Sequence, residues 1–222
     1  MPPVGNDVVD LKDPENQGKS RDERFLLRAF AEEERVRIRG SADPDAFLWS
    51  FWAAKEAAYK AVSQEDPGVS SAPRYYRVVL EELGAKRVFD ENSPASRRRN
   101  RASLEGRVFT PRGERALRIW VAADHVHALA AESEAVLAGV LHRVDRMDAA
   151  ATLPDPSAFV RERLLREIAR RCSHPAGDLD IRKDPEGPGA PRVFLRDRPL
   201  AAEISLSHDG RFTAFALLLP RP

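Results

Sequence analysis

The chain has 222 residues, 42% hydrophobic and 32% charged, with a formal net charge of +1; it can fill a core for one large domain or two small ones, and it lacks the basic surplus of a general nucleic-acid binder. A single cysteine, Cys172, excludes an intrachain disulfide framework and a thiolate zinc cluster. The opening residues MPPVGNDVVDL lack the basic start and apolar core of a signal peptide, and no apolar run reaches the length of a membrane span, so a soluble cytoplasmic protein with no membrane or nucleic-acid partner is expected.

VGNDVVDL (4–11) reads as a short strand. Strand alternation then puts Asp7 and Val9 on one face and Val8 and Asp10 on the other. A carboxylate among apolar groups is costly unless a cation meets it. RDERFLLRAFAEEERVRI (21–38) has helical spacing with room for breaks. Asp43 is placed to cap the next helix, with Pro44 at its first position and the helix running to about Val62. Phe47, Phe51, Ala54, Ala58 and Val62 form one apolar stripe of it. Trp52, Glu56 and Lys60 form the neighbouring one. Glu56 and Lys60 are one turn apart, which suits either a surface ion pair or a charged face turned into a cleft.

The period then changes. Strands are expected at 75–83, 86–89, 104–109 and 116–123, with turns at Gly84 and Gly113. HVHALAAE and 135–144 form a further pair of candidate strands. DRMDAAATLPDPS (145–157) is the best linker, and AFVRERLLREIARRC (158–172) is a second amphipathic helix. The tail holds short strands around a turn at Asp209-Gly210. VAADHVHALAA (121–131) echoes ISLSHDGRFTAFALL (204–218), as two related lobes or ordinary hairpins would.

Asp7, Glu56 and Lys60 are of the types that serve a phosphoryl group. Mg²⁺ takes few carboxylates, several waters and phosphate oxygens, and lysine is a flexible point charge for a phosphate. A purely structural Asp–Lys–Glu cluster would use the same residues. In ISLSHDG, Ile204 and Leu206 should face the core, and Ser205 and Ser207 a cleft or solvent. His208 opens the turn. It is either an ordinary exposed histidine or a donor to phosphate, with Ser207 and Arg211 beside it. SRRRNR (96–101) is a solvated basic loop or a contact for an acidic protein.

GNDVVDL, FWAAKEAAYKA and ISLSHDG together resemble the three signature motifs of the 4′-phosphopantetheinyl transferase superfamily. RFLLRAFAEEE (24–34) is similar to a helix that the family carries between the first two. The resemblance implies transfer of the phosphopantetheine arm of coenzyme A to a serine of an acyl- or peptidyl-carrier protein, with 3′,5′-ADP released. It implies Mg²⁺ on Asp7 and Glu56, catalytic roles for Glu56 and Lys60, and coenzyme A contacts from Lys60, Ser207, His208 and Arg211.

The departures from the family pattern are specific. Val9 stands where two-lobed members carry an acid. Asp10 stands where the short, trimeric members carry one. Motif order follows the short class and chain length the two-lobed class. The resemblance therefore implies an α+β pseudo-dimer of two similar lobes, each a small antiparallel sheet packed on a long helix. Lobe one (1–145) would carry the Asp and Glu/Lys motifs, and lobe two (146–222) Ser-x-Ser-His. One chain would hold both walls of the cleft and serve as a monomer. Ala190 replaces a lysine expected near adenine, which leaves Arg192, Arg182 or Lys183 for that task. The alternative reading is a catalytically inactive relative that binds coenzyme A or a carrier protein.

Overall fold

The structure, a computed structural model, describes residues 1–81, 86–87, 102–147, 155–183 and 190–220. The basic run at 96–101, the middle of the expected linker (148–154), the turn at Gly84 and the end of the strand expected at 86–89 lie outside the described residues.

β1 (Val4–Asp10) is buried along its whole length. Two 3-10 turns lead to α1 (Glu23–Ala29) and α2 (Glu32–Arg39). The helical pattern of 21–38 breaks once, where Phe30 and Ala31 are extended. Glu34 supports the restart, its carboxylate accepting the Ala31 N–H at 2.7 Å. α3 (Pro44–Glu65) starts as its sequence predicts, with Asp43 Oδ1 accepting the Ala46 N–H and Pro44 at the first position.

β2 (Arg77–Leu80), β3 (Lys86–Arg87), β4 (Ala102–Thr110), β5 (Gly113–Val121) and β6 (His125–Ala131) join β1 in one antiparallel sheet. Its order is β1-β6-β5-β4-β2, with β3 also on β4. α3 lies on one face, burying Ala53, Ala54, Ala57, Ala58 and Ala61 completely. These small side chains let the helix backbone come down onto β1. A Cβ added at Gly5 would sit 1.8 Å from Ala57 O. The alanine-rich helix and the glycine of the first strand are thus two halves of one close approach.

The stretch 135–144, expected as a strand, divides. Ser133 Oγ accepts the Val136 N–H and starts the short α4 (Glu134–Leu137), so only β7 (Leu141–Arg146) is extended. α5 (Pro156–Cys172) is capped by Asp155 and stops at Ser173, which is left-handed with φ 56°. β8 (Leu179–Lys183), β9 (Pro191–Leu195), β10 (Arg198–Pro199), β11 (Glu203–Asp209) and β12 (Phe212–Leu218) complete the fold. They form two further antiparallel sheets, β10-β9-β8 and β11-β12-β7. The expected lobe boundary at 145/146 cuts β7, which pairs with β12.

α5 packs Val160, Leu164 and Ile168 against Ile181, Val193, Ile204 and Phe215. β12 also covers the large sheet on the face away from α3. There Phe212 and Ala214 meet Val8, while Ala216 meets Val4 and Trp120. The architecture is α+β, with open antiparallel sheets and helices on them. Among the described residues no helix is long and apolar enough to cross a membrane.

Gly5→Ala should lower the free energy of unfolding by about 3 kcal/mol, the upper end for overpacking, because a backbone carbonyl cannot move aside without moving α3. Urea unfolding checks this, and a loss of a few tenths of a kcal/mol would mean that α3 does not press on β1 as described.

Candidate active site

The free edge of β1 is closed by side chains of β11. Antiparallel pairing with β6 turns the N–H groups of Asn6, Val8 and Asp10 to the other side. Ser205 Oγ accepts from Asn6 N at 2.9 Å, Ser207 Oγ from Val8 N at 3.2 Å, and Asp209 Oδ2 from Asp10 N at 2.7 Å. The two strands run side by side in one direction. Ser205 and Ser207, expected to face a cleft or solvent, are buried in this seam, at 4% and 6% exposure.

α3 crosses the same seam. Lys60 Nζ donates to Asn6 O at 3.1 Å and Leu206 O at 3.5 Å, one carbonyl from each strand. A turn later Gln64 Nε2 donates to Val4 O at 2.7 Å and Ile204 O at 3.4 Å. Lys60 also pairs with Asp7 Oδ1 at 2.8 Å, and Ser207 Oγ donates to that oxygen at 2.7 Å. Asp7 thus faces α3, on the side of Gly5 and Val9 rather than that of Val8.

Glu56 is half-buried on α3, one turn before Lys60. Burial, then the charge of Asp7, push its carboxyl up to about 7, against the pull of Lys60. Two carboxylates here share one lysine, and the group left over titrates near neutrality. Asp10 is committed elsewhere. Arg211 grips it with both arms, Nε to Oδ2 at 2.7 Å and Nη2 to Oδ1 at 2.6 Å. Burial pushes the Asp10 carboxyl up, but the bonds from Arg211 and the Lys12 N–H hold it below the ordinary value. Gly210, at φ 49°, permits this grip, since a Cβ there would lie 2.6 Å from Asp10 Oδ2. Val9 lies in the core. Among the described residues no three His, Cys, Asp or Glu side chains gather at one point.

Asp7 and Glu56 therefore offer two carboxylates against one ammonium, a deficit of one positive charge. It fits Mg²⁺, which keeps most of its waters and takes one or two protein carboxylates. His208 follows Ser207 on β11 and is exposed, its side chain on the opposite face of the strand. Arg192 lines a pocket of 440 Å³ with Gln64, Ala190, Pro191 and Glu203, one helical turn beyond Lys60. Arg182 is spoken for by Asp180 and Asp197.

The motif has a lysine that sequence reasoning passed over. Lys55, beside Glu56, is 1% exposed and pairs with the buried Glu34 at 2.8 Å. Its ammonium also donates to Pro73 O and Tyr76 O. Burial pulls the Lys55 ammonium below its ordinary range, opposed by Glu34. This pair ties α2 and the approach to β2 onto α3, and so fixes the turn of helix that carries Glu56. The signal was its place among the buried alanines, where a lysine demands a partner.

A family model described as the 4′-phosphopantetheinyl transferase superfamily matches residues 3–130, more than half of the chain and the span that holds Asp7, Glu56 and Lys60. No curated protein matches the chain.

Glu56 gives the site a measurable pH signature. Between the ordinary glutamate value of 4.5 and about 7, the folded chain keeps a proton that the unfolded chain has lost. Stability from this group is complete below that window and is lost as pH rises through it. With EDTA present, Glu56→Gln should exceed the unaltered protein in stability above about pH 7, by about 2–3 kcal/mol, the gap closing towards pH 4.5. Urea unfolding at the two ends of the window checks it, and equal stability at both ends would contradict it.

Proposed function

The chain belongs to the 4′-phosphopantetheinyl transferase superfamily, and from that premise we propose that it moves the phosphopantetheine arm of coenzyme A onto a serine of an acyl- or peptidyl-carrier protein, with Mg²⁺ on Asp7 and Glu56. The observation that carries this is the meeting of Asp7 with Lys60 at 2.8 Å beside a Glu56 poised near neutrality. A phosphoanhydride needs cationic groups on its oxygens and a base near the attacking hydroxyl, and it needs little else.

Mg²⁺, when bound, neutralises charge on the pyrophosphate. Lys60, its ammonium held at the floor of the seam by Asn6 O, Leu206 O and Asp7 Oδ1, supplies positive charge beside the phosphates and takes up a phosphate oxygen in exchange for the long bond to Leu206 O. The carrier serine oxygen forms a bond to the phosphorus that bears pantetheine, the bond to the leaving 3′,5′-ADP breaks, and the serine proton passes to Glu56 or to a water on it. His208 donates to a coenzyme A phosphate from β11. Arg192 and its pocket take the nucleotide end, one turn of α3 beyond Lys60. Ser207, expected on coenzyme A, spends its one proton on Asp7, while Arg211 grips Asp10 through Nε and Nη2 and keeps its remaining N–H groups for a coenzyme A phosphate.

The division into two lobes belongs to the same proposal. α3 with the large sheet supplies Asp7, Glu56 and Lys60, and α5 with the sheets of 141–218 supplies His208 and Arg192, with β7 counted in the second lobe. Since one chain supplies both walls, a cytoplasmic monomer suffices.

Incubation with coenzyme A, Mg²⁺ and a panel of apo-carrier proteins, followed by weighing the carriers, tests the activity. One phosphopantetheine arm should be gained on a carrier, and Glu56→Gln should abolish the gain. Coenzyme A binding with no transfer to any carrier would favour the inactive-relative reading. His208→Ala should weaken coenzyme A binding by one to two decades in calorimetry, as loss of a charged hydrogen bond of about 1.5–3 kcal/mol implies. Equal affinities would remove His208 from the site.

A further inference from the structure

Ser207 is the one residue of β11 that touches both the backbone of β1 and a candidate metal ligand. Its Oγ accepts the Val8 N–H at 3.2 Å and donates to Asp7 Oδ1 at 2.7 Å. A hydroxyl has one proton. With the Val8 N–H aimed at its oxygen, that proton is directed to the carboxylate, and the group is 6% exposed. It has no proton left for a phosphate. Ser205, two residues earlier, accepts the Asn6 N–H in the same way, from the same strand, and is 4% exposed.

We propose that Ser207 is a positioning residue for Asp7. Among the described residues, both bonds to the Asp7 side chain, from Ser207 and from Lys60, fall on Oδ1. Two donors on one oxygen fix the plane of the carboxylate and leave Oδ2 to bind a cation. One donor is rooted in α3 and the other in β11, so the carboxylate is aimed only when helix and seam are both in place. The second serine of Ser-x-Ser-His thereby acts through Asp7, and the second lobe contributes to the metal site without offering a ligand. Partners that orient a ligand in this way commonly carry a tenfold or larger share of metal affinity, on the order of 10–100-fold.

This rests on Asp7 and Glu56 holding Mg²⁺, and the test separates the two claims. Mg²⁺ is titrated by calorimetry into the protein saturated with coenzyme A, for the unaltered chain, Ser207→Ala, Ser205→Ala, Ser207→Thr and Glu56→Gln. Urea unfolding of each is measured alongside. Each alanine variant uncaps one β1 N–H, and Ser207→Ala should lose the more stability because it also gives up the bond to Asp7. Only Ser207→Ala should weaken Mg²⁺, by about tenfold or more. Ser207→Thr, which keeps a hydroxyl, should restore it, and it also carries the test if the alanine variant does not fold. Mg²⁺ affinity unchanged in Ser207→Ala but lost in Glu56→Gln would overturn the role of Ser207 and leave the metal site standing. Equal weakening by Ser205→Ala would likewise overturn it, as an effect of the seam alone. An unaltered protein that binds coenzyme A but no Mg²⁺ would overturn both claims.

Discussion

An edge strand carries a row of N–H and C=O groups that must find partners once it is buried. β1 is such a strand. On one side it pairs with β6, and on the other Ser205, Ser207 and Asp209 of β11 stand in for a neighbouring backbone. Because the acceptors are side-chain oxygens, two sheets are joined without becoming one. Short polar residues at every second position of β11 are what this junction needs. Lys60 and Gln64 of α3 close it from the helix side by bonding carbonyls on both strands. Gly5 sets how near α3 can come, and the helix alanines set how near it does. Asp7, the pivot of the candidate site, sits on the strand where all these constraints meet.

The charges around the junction follow from the same crowding. Four carboxylates, those of Asp7, Asp10, Asp209 and Glu56, lie on or beside it. Arg211 neutralises Asp10, while Asn16 and the Asp10 N–H serve Asp209, whose carboxyl burial nonetheless pushes up. Lys60 answers Asp7. Among the described residues Glu56 has no cation of its own, and its raised affinity for a proton expresses that deficit. A divalent cation with phosphate oxygens would supply the missing charge. Lys55, by contrast, points away into a closed ion pair with Glu34, and that pair holds the helix rather than a substrate.

What was legible in the sequence was whatever local rules decide. α3 and α5 were visible from their periods and from Asp43-Pro44 at the start of the first, and the turn at Asp209-Gly210 from its residues. The need for a cation at Asp7 was legible too, because a carboxylate sharing a strand face with Val9 has to be met by one. What failed to show was decided by distant contacts. Ser205 and Ser207 alternate with apolar residues as an exposed face would, yet here a second strand lies where water was expected. The grip of Arg211 on Asp10 did not show because 201 positions separate the two. The stretch after Ser133 read as a strand because four helical residues are too few to establish a period.

The central physical claim is that β11 side chains close the free edge of β1, and amide hydrogen exchange reads it most directly. The N–H groups of Asn6, Val8 and Asp10 should exchange as slowly as those of Gly5, Asp7 and Val9, which turn to β6, because all six open only when the core does. Fast exchange confined to Asn6, Val8 and Asp10 would show an open edge and contradict the account.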